Sequence, residues 1–144
     1  MRKQAKEVNL RTLIKAAWLA RDRAHAPYSG FKVGAVLEND KGQLFSGCNV
    51  ENANYTTGLC AERTAIVKAV SEGALKPGGI RRMVIAAKAD RPAGPCGSCR
   101  QVIEEFAGED TRVVLTNEPG KVALEFTHRE LLPHAFNARD LDKE

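Results

Sequence analysis

Met83-Val84-Ile85-Ala86-Ala87, then Pro95-Cys96-Gly97-Ser98-Cys99, then Arg112-Val113-Val114-Leu115-Thr116 follow one another in a single stretch of the chain. The first run is short and almost continuously apolar, as expected of a strand buried on both faces. The second opens a helix that the spacing predicts over 96–106, closed near Gly108. The third reads as another strand. Strand, helix, strand is the pattern of a parallel crossover, whose sheet needs helices on its faces. The stretch therefore predicts an α/β fold, a sheet covered by helices.

The flanking sequence extends that sheet. Leu10, Leu13, Ile14, Ala17 and Trp18 recur at helical spacing over 9–25, with Asn9 as cap and Pro27 beyond the end. Trp18 on this stripe reads as core. Segments 31–38 and 43–50 read as strands joined by Asn39-Asp40-Lys41-Gly42, a β-hairpin. A polar loop covers 51–59. Ala65, Ile66, Ala69 and Val70 give a second helix over 60–72, stopped by Gly73 and Pro77-Gly78-Gly79. A further strand at 121–126 and a short helix at 128–132, ended by Pro133, complete the order α-β-β-α-β-α-β-β-α. A length of 144 residues with no repeat or linker predicts one domain over 1–144, behind a polar N-terminal tail at 1–8.

Composition excludes several classes. The net charge is +4, but positive and negative residues interleave. No basic face interleaved with aromatics appears, so no nucleic-acid partner is expected. No run of eighteen apolar residues predicts a membrane helix. Lys15, Arg21 and Asp22 interrupt any signal-peptide core. The expected compartment is a reducing cytoplasm, where clustered cysteines favour metal or redox roles over disulfides.

Chemistry concentrates in two places: Cys60-Ala61-Glu62, and the Pro95–Cys99 segment that opened this section. They offer three thiolates and one acid not needed as a ligand. Three protein ligands plus water make a catalytic zinc, whereas a structural zinc fills its fourth corner with protein. This is close to the signature of zinc nucleobase deaminases in their three-cysteine form. Cys60 and Cys96 each open a helix, where free N–H groups and the dipole favour thiolate. Cys48 is left over, either a fourth ligand that would close the site or a small buried hydrophobe. Glu62 lies near the first turn. It is either an acid favoured by the dipole or, beside an open metal corner, a proton carrier. Zinc with three thiolates carries a formal charge of −1, so something positive must compensate. Two helix N-termini supply part, and Arg63, otherwise a surface residue, is the candidate for the rest.

At these residues the chain resembles the small homotetrameric cytidine deaminases that act on free nucleosides. The likeness runs from Ala26 to Phe136. It includes Ala26-Pro27-Tyr28-Ser29, Phe31-Lys32-Val33-Gly34-Ala35, Gly47-Cys48-Asn49-Val50-Glu51-Asn52-Ala53, Cys60-Ala61-Glu62-Arg63-Thr64-Ala65, Pro95-Cys96-Gly97-Ser98-Cys99-Arg100-Gln101 and Leu131-Leu132-Pro133-His134-Ala135-Phe136. Thr56-Thr57-Gly58-Leu59 is a departure from the family pattern. The resemblance implies a three-layer α/β/α sandwich around a five-stranded mixed sheet. It implies one zinc per subunit on Cys60, Cys96 and Cys99, with Glu62 moving protons from the attacking water to ring N3 and the leaving amine. Arg63 would hydrogen-bond ligand thiolates, with Gln101 a further supporting residue. Asn49 and Glu51 would hold the ribose hydroxyl, the Ala61 backbone the base, and Phe31 would pack at the pyrimidine. Phe136 would reach in from a neighbouring subunit of a tetramer, and Tyr55 would stand near the sugar and the subunit interface. Cytidine and deoxycytidine would become uridine and deoxyuridine with release of ammonia, a step of pyrimidine salvage.

The residues support parts of this on their own. Asn49 and Glu51 alternate, so they share a face if the strand continues, and an amide with a carboxylate suits a sugar diol. Loop capping is their plain alternative, and core packing that of Phe31 and Phe136. Competing readings of the whole are a deaminase of a related cytosine compound such as an aminonucleoside antibiotic, a closed zinc module using Cys48, a thiol redox protein on Cys96 and Cys99, and a nucleic-acid editing enzyme.

Overall fold

A computed structural model describes residues 5–141. The chain forms α1 (Leu10–Asp22), β1 (Val33–Asn39), β2 (Leu44–Cys48), α2 (Ala61–Ser71), β3 (Ile80–Ala87), α3 (Gly97–Phe106), β4 (Ala107–Thr116), β5 (Leu124–Thr127), α4 (His128–Leu131) and a 3₁₀ turn (Ala138–Leu141). Local chemistry sets these boundaries. The Asn9 side chain accepts from the Arg11 N–H and starts α1. Thr127 and Glu130 close a reciprocal capping box on α4. Asn39 Oδ1 accepts from the backbones of Lys41 and Gln43, and Gly42 takes φ +76°, which together turn β1 into β2.

The sheet has five strands in the order β2-β1-β3-β4-β5. Only the β3–β4 pair is parallel, with Val84 opposite Val114. The expected crossover and hairpin are both present. β4 begins at Ala107, directly where α3 ends, whereas the sequence placed its start at 112 with a break near Gly108. Polar 108–110 hid the extension, because Gly, Glu and Asp are poor strand formers.

Leu13, Ile14 and Ala17 of α1 pack on Val36, Val84 and Val114. On the other face Ala65 and Ile66 of α2 and Ile103 of α3 pack on Leu37, Met83, Ile85 and Val113. The result is the three-layer α/β/α sandwich. Leu13, Leu37 and Ile66 are at most 1% exposed, and each such side chain contributes about 1.5–3 kcal/mol. Trp18 is partly buried against the α1 side, its Nε1 donating to Thr116 Oγ1 at 3.1 Å.

Two glycines set how closely the helices lie. A Cβ on Gly34 would stand 2.0 Å from the Ala17 carbonyl oxygen of α1, and one on Gly47 would stand 2.5 Å from the Ala65 nitrogen of α2. Gly47 thereby lets the first turns of α2 lie directly on β2.

Residues 1–4 of the expected polar tail lie outside the described residues, and 5–8 are pinned to the sheet. Glu38, fully buried at the end of β1, accepts from the Val8 N–H at 2.9 Å. Its carboxylate pairs with Arg82 at 2.6 Å and Arg81 at 3.4 Å, and Arg82 also donates to the Val8 carbonyl. Arg81 donates to the Ala5 carbonyl at 3.2 Å. No described helix is long and apolar enough to cross a membrane.

Candidate active site

Cys60 and Cys96 are the residues immediately before α2 and α3, both with extended backbones, and Cys99 lies in the first turn of α3. The three sulfurs gather within 4.8 Å of one another, with Cys60 Sγ and Cys96 Sγ 3.9 Å apart. A tetrahedral zinc about 2.3 Å from each sulfur requires sulfur–sulfur edges of about 3.8 Å, so the donor set fits this ion. Among the described residues no fourth such donor joins the group. Cys48 sits half-buried in β2, paired with Gly34 and apart from the cluster, so the closed zinc module has no fourth sulfur.

Glu62, the second residue of α2, is 4% exposed. Cys60 lies outside the helix as its cap, so helical rotation does not separate the two side chains. The Cys99 thiol donates to Glu62 Oε2 at 3.7 Å. Burial holds the Glu62 carboxyl above its ordinary range, against the opposing pull of its own N–H, the Cys99 thiol and Arg63. Burial, followed by the Glu62 charge, pushes the Cys99 thiol up. For Cys96 burial works in the same direction, but the Cys99 N–H and the thiols of Cys99 and Cys60 outweigh it, and its pKa falls. Arg63 is not an idle surface residue. Its Nη2 faces Cys60 Sγ at 3.7 Å and donates to the Gly58 carbonyl at 3.4 Å, while its buried Nε has no partner. The hydrogen bond to Cys60 binds its proton more tightly.

Beyond Cys48 the extended chain continues as bridges. Val50 exchanges both backbone hydrogen bonds with Leu59, at 2.9 and 3.0 Å. His25 donates to the Asn49 carbonyl at 3.0 Å and accepts from the Glu51 N–H at 2.8 Å. The 51–58 loop therefore closes immediately before Cys60, with Asn49 and Glu51 flanking the closure. Their side chains turn to one segment. Asn49 Oδ1 accepts from the Val33 N–H and its Nδ2 donates to the Phe31 carbonyl, both at 2.8 Å. Glu51 Oε1 accepts from the N–H groups of Tyr28 and Ser29 at 3.0 Å, and Oε2 from the Ser29 hydroxyl. The Ser29 hydroxyl and N–H hold the Glu51 carboxyl below its usual range. Both side chains brace the 28–33 segment.

Tyr55 is 79% exposed, edge-on to Tyr28 with ring centroids 5.7 Å apart. The two line a cleft of about 300 Å³ with Ser29, Glu51 and Gly58. Phe31, 42% exposed, lines a second cleft of about 600 Å³ beside Gly94 and Arg100. Phe136 is 58% exposed, its carbonyl accepting from Gln101 Nε2 at 2.7 Å. Neither phenylalanine is core, which removes their plain alternative. Ala61 is buried, and as the first residue of α2 it carries one of the N–H groups that the helix leaves free. Sequence reasoning missed Arg100, whose Nε donates to the Pro95 carbonyl at 2.7 Å and whose Nη1 donates to the Leu131 carbonyl at 2.8 Å. It steadies the turn entering Cys96. Its place between Cys99 and Gln101 was the available signal.

Residues 7–116 match the family model described as the cytidine and deoxycytidylate deaminase zinc-binding region. The chain is 48% identical over 134 residues to the cytidine deaminase of Halalkalibacterium halodurans, covering 90% of this chain and 96% of that one. It is 42% identical over 134 residues to the cytidine deaminase of Sporosarcina psychrophila, covering 93% and 96%. The crystal structure of the cytidine deaminase from Burkholderia pseudomallei superposes with a TM-score of 0.84 at 45% identity, covering 90% of this chain and all of that one. Three gathered sulfurs beside a buried carboxyl, on a fold shared at these identities, lead to one assignment: the chain belongs to the cytidine deaminase family, whose cofactor is zinc.

Proposed function

We propose that this protein hydrolyses cytidine and deoxycytidine: water adds at C4, the amine leaves as ammonia, and uridine or deoxyuridine remains. The single observation behind this reading is Glu62, buried and 3.7 Å from a sulfur of a three-cysteine cluster that no fourth protein donor joins among the described residues. Cys60, Cys96 and Cys99 would hold one zinc per subunit, which supplies a Lewis acid that makes water a nucleophile near neutral pH. Glu62 takes the proton of the attacking water and returns protons to ring N3 and the departing amine. Arg63 offsets thiolate charge at Cys60. Gln101 supports the site from α3 by holding the Phe136 carbonyl.

The Ala61 N–H holds the base, Asn49 and Glu51 hold the ribose hydroxyl, and Phe31 packs on the pyrimidine. Phe136 and Tyr55 stand exposed, as residues that serve a neighbouring copy would. This supports a homotetramer with shared sites, working in cytoplasmic pyrimidine salvage as one single-domain subunit per chain. A cytosine-containing antibiotic as substrate is not favoured, since the relatives reported above are named cytidine deaminases. The test is metal content and cytidine turnover on one purified sample. Turnover should follow zinc content and vanish on chelation, and full-rate ammonia release from chelated protein would overturn the reading.

A further inference from the structure

The Ser29 hydroxyl occupies an unusual position. It accepts from the Phe31 N–H at 2.9 Å, which leaves its own proton free to point elsewhere, and that proton goes to Glu51 Oε2. Glu51 Oε1 is already filled by the N–H groups of Tyr28 and Ser29. A carboxylate offers about four lone-pair positions. Three are therefore spoken for, and the one left lies on Oε2, the oxygen that Ser29 holds. Asn49 bonds the same segment on both sides of Lys32, through the Phe31 carbonyl and the Val33 N–H. Ser29, Glu51 and the Tyr28–Tyr55 pair share one open cleft, so the free position is reachable.

We propose that Ser29 is the positioning residue for sugar recognition: by fixing the Glu51 carboxylate against the Tyr28–Phe31 turn, it leaves a single oriented acceptor for a nucleoside hydroxyl. This rests on the reading of Glu51 as a ribose contact and deepens it. Without the Ser29 hydroxyl, Glu51 keeps its charge and its two N–H donors but loses the bond that fixes Oε2. The Phe31 N–H loses its partner at the same time.

The experiment measures cytidine kinetics on zinc-loaded enzyme, with 2′,3′-dideoxycytidine as a competitor that lacks the 2′ and 3′ hydroxyls and keeps the 5′ one. Ser29→Ala should raise KM for cytidine by about 2–10-fold, the worth of one net hydrogen bond, with kcat held. The inhibition constant of the dideoxy compound should not move. Ser29→Thr, which retains a hydroxyl, should behave as the parent. Ser29→Ala with Glu51→Gln should be no worse than Glu51→Gln alone, since the two residues act as one unit. Equal weakening of both compounds, or no change for cytidine while Glu51→Gln raises its KM, overturns the role of Ser29 alone. A Glu51→Gln enzyme with unchanged KM for cytidine overturns the reading of Glu51, and this inference with it.

Discussion

Among the described residues two glutamates are buried, Glu38 and Glu62, and they are treated in opposite ways. Glu38, at the end of β1, is fully buried and surrounded by donors: Arg82, Arg81 and the Val8 N–H. Glu62, at the start of α2, is nearly as buried, yet its side-chain partner is a thiol at 3.7 Å. Burying a carboxylate beside cations ties parts of a chain together, here residues 5–8 to β1 and β3. Burying one without a cation in contact lifts its pKa and leaves it ready to exchange a proton. The first arrangement is architecture and the second is chemistry, and burial alone does not tell them apart.

Mutation should separate them in the same terms. Glu62→Gln should cut deamination by about 10²–10⁴-fold while keeping zinc and fold, read by absorbance and metal analysis; near-normal turnover would break the contrast. Glu38→Ala strands Arg82, which is about nine-tenths buried, without its carboxylate, and should cost about 3–5 kcal/mol in denaturant unfolding with activity per folded molecule retained. A stability near the parent's would make Glu38 dispensable. Gly47→Ala forces backbone to move between β2 and α2, with an expected cost of about 1–3 kcal/mol and weaker zinc retention against a chelator.

The smallest effect is in pH. The folded pKa of Glu62 lies above its unfolded value of 4.5, so the folded state binds more protons in that interval. Stability of the metal-free protein should therefore fall as pH rises from 4.5 toward the folded pKa, by at most about 1.4 kcal/mol per pH unit. Glu62→Gln should flatten that slope. A slope of the opposite sign would mean that this carboxyl is stabilised as an anion.

The two regions were also unequally legible. Cys60, Glu62, Cys96 and Cys99 announce themselves because metal chemistry demands particular residue types at short spacing. Helix α1 and the hairpin are equally local, carried by apolar periodicity and by Asn39 with Gly42. Glu38, by contrast, is one acid at the end of an apolar strand, and its partners lie 30 to 44 residues away in sequence. Nothing nearby signals them. For the same reason residues 5–8 read as a loose polar start rather than as a strap on Arg82. Asn49 and Glu51 fall between: their alternation was visible, but their bonds to Tyr28, Ser29, Phe31 and Val33 follow from the fold around Val50 and Leu59.

The graded exposure of the three sulfurs has one more consequence. Cys99 is sealed, Cys60 half-covered and Cys96 at the surface. An incoming cation thus meets an exposed outer thiol ahead of a buried inner one. Loading and release would then be ordered, with the rim bond at Cys96 the first to open when a competing chelator draws the ion away.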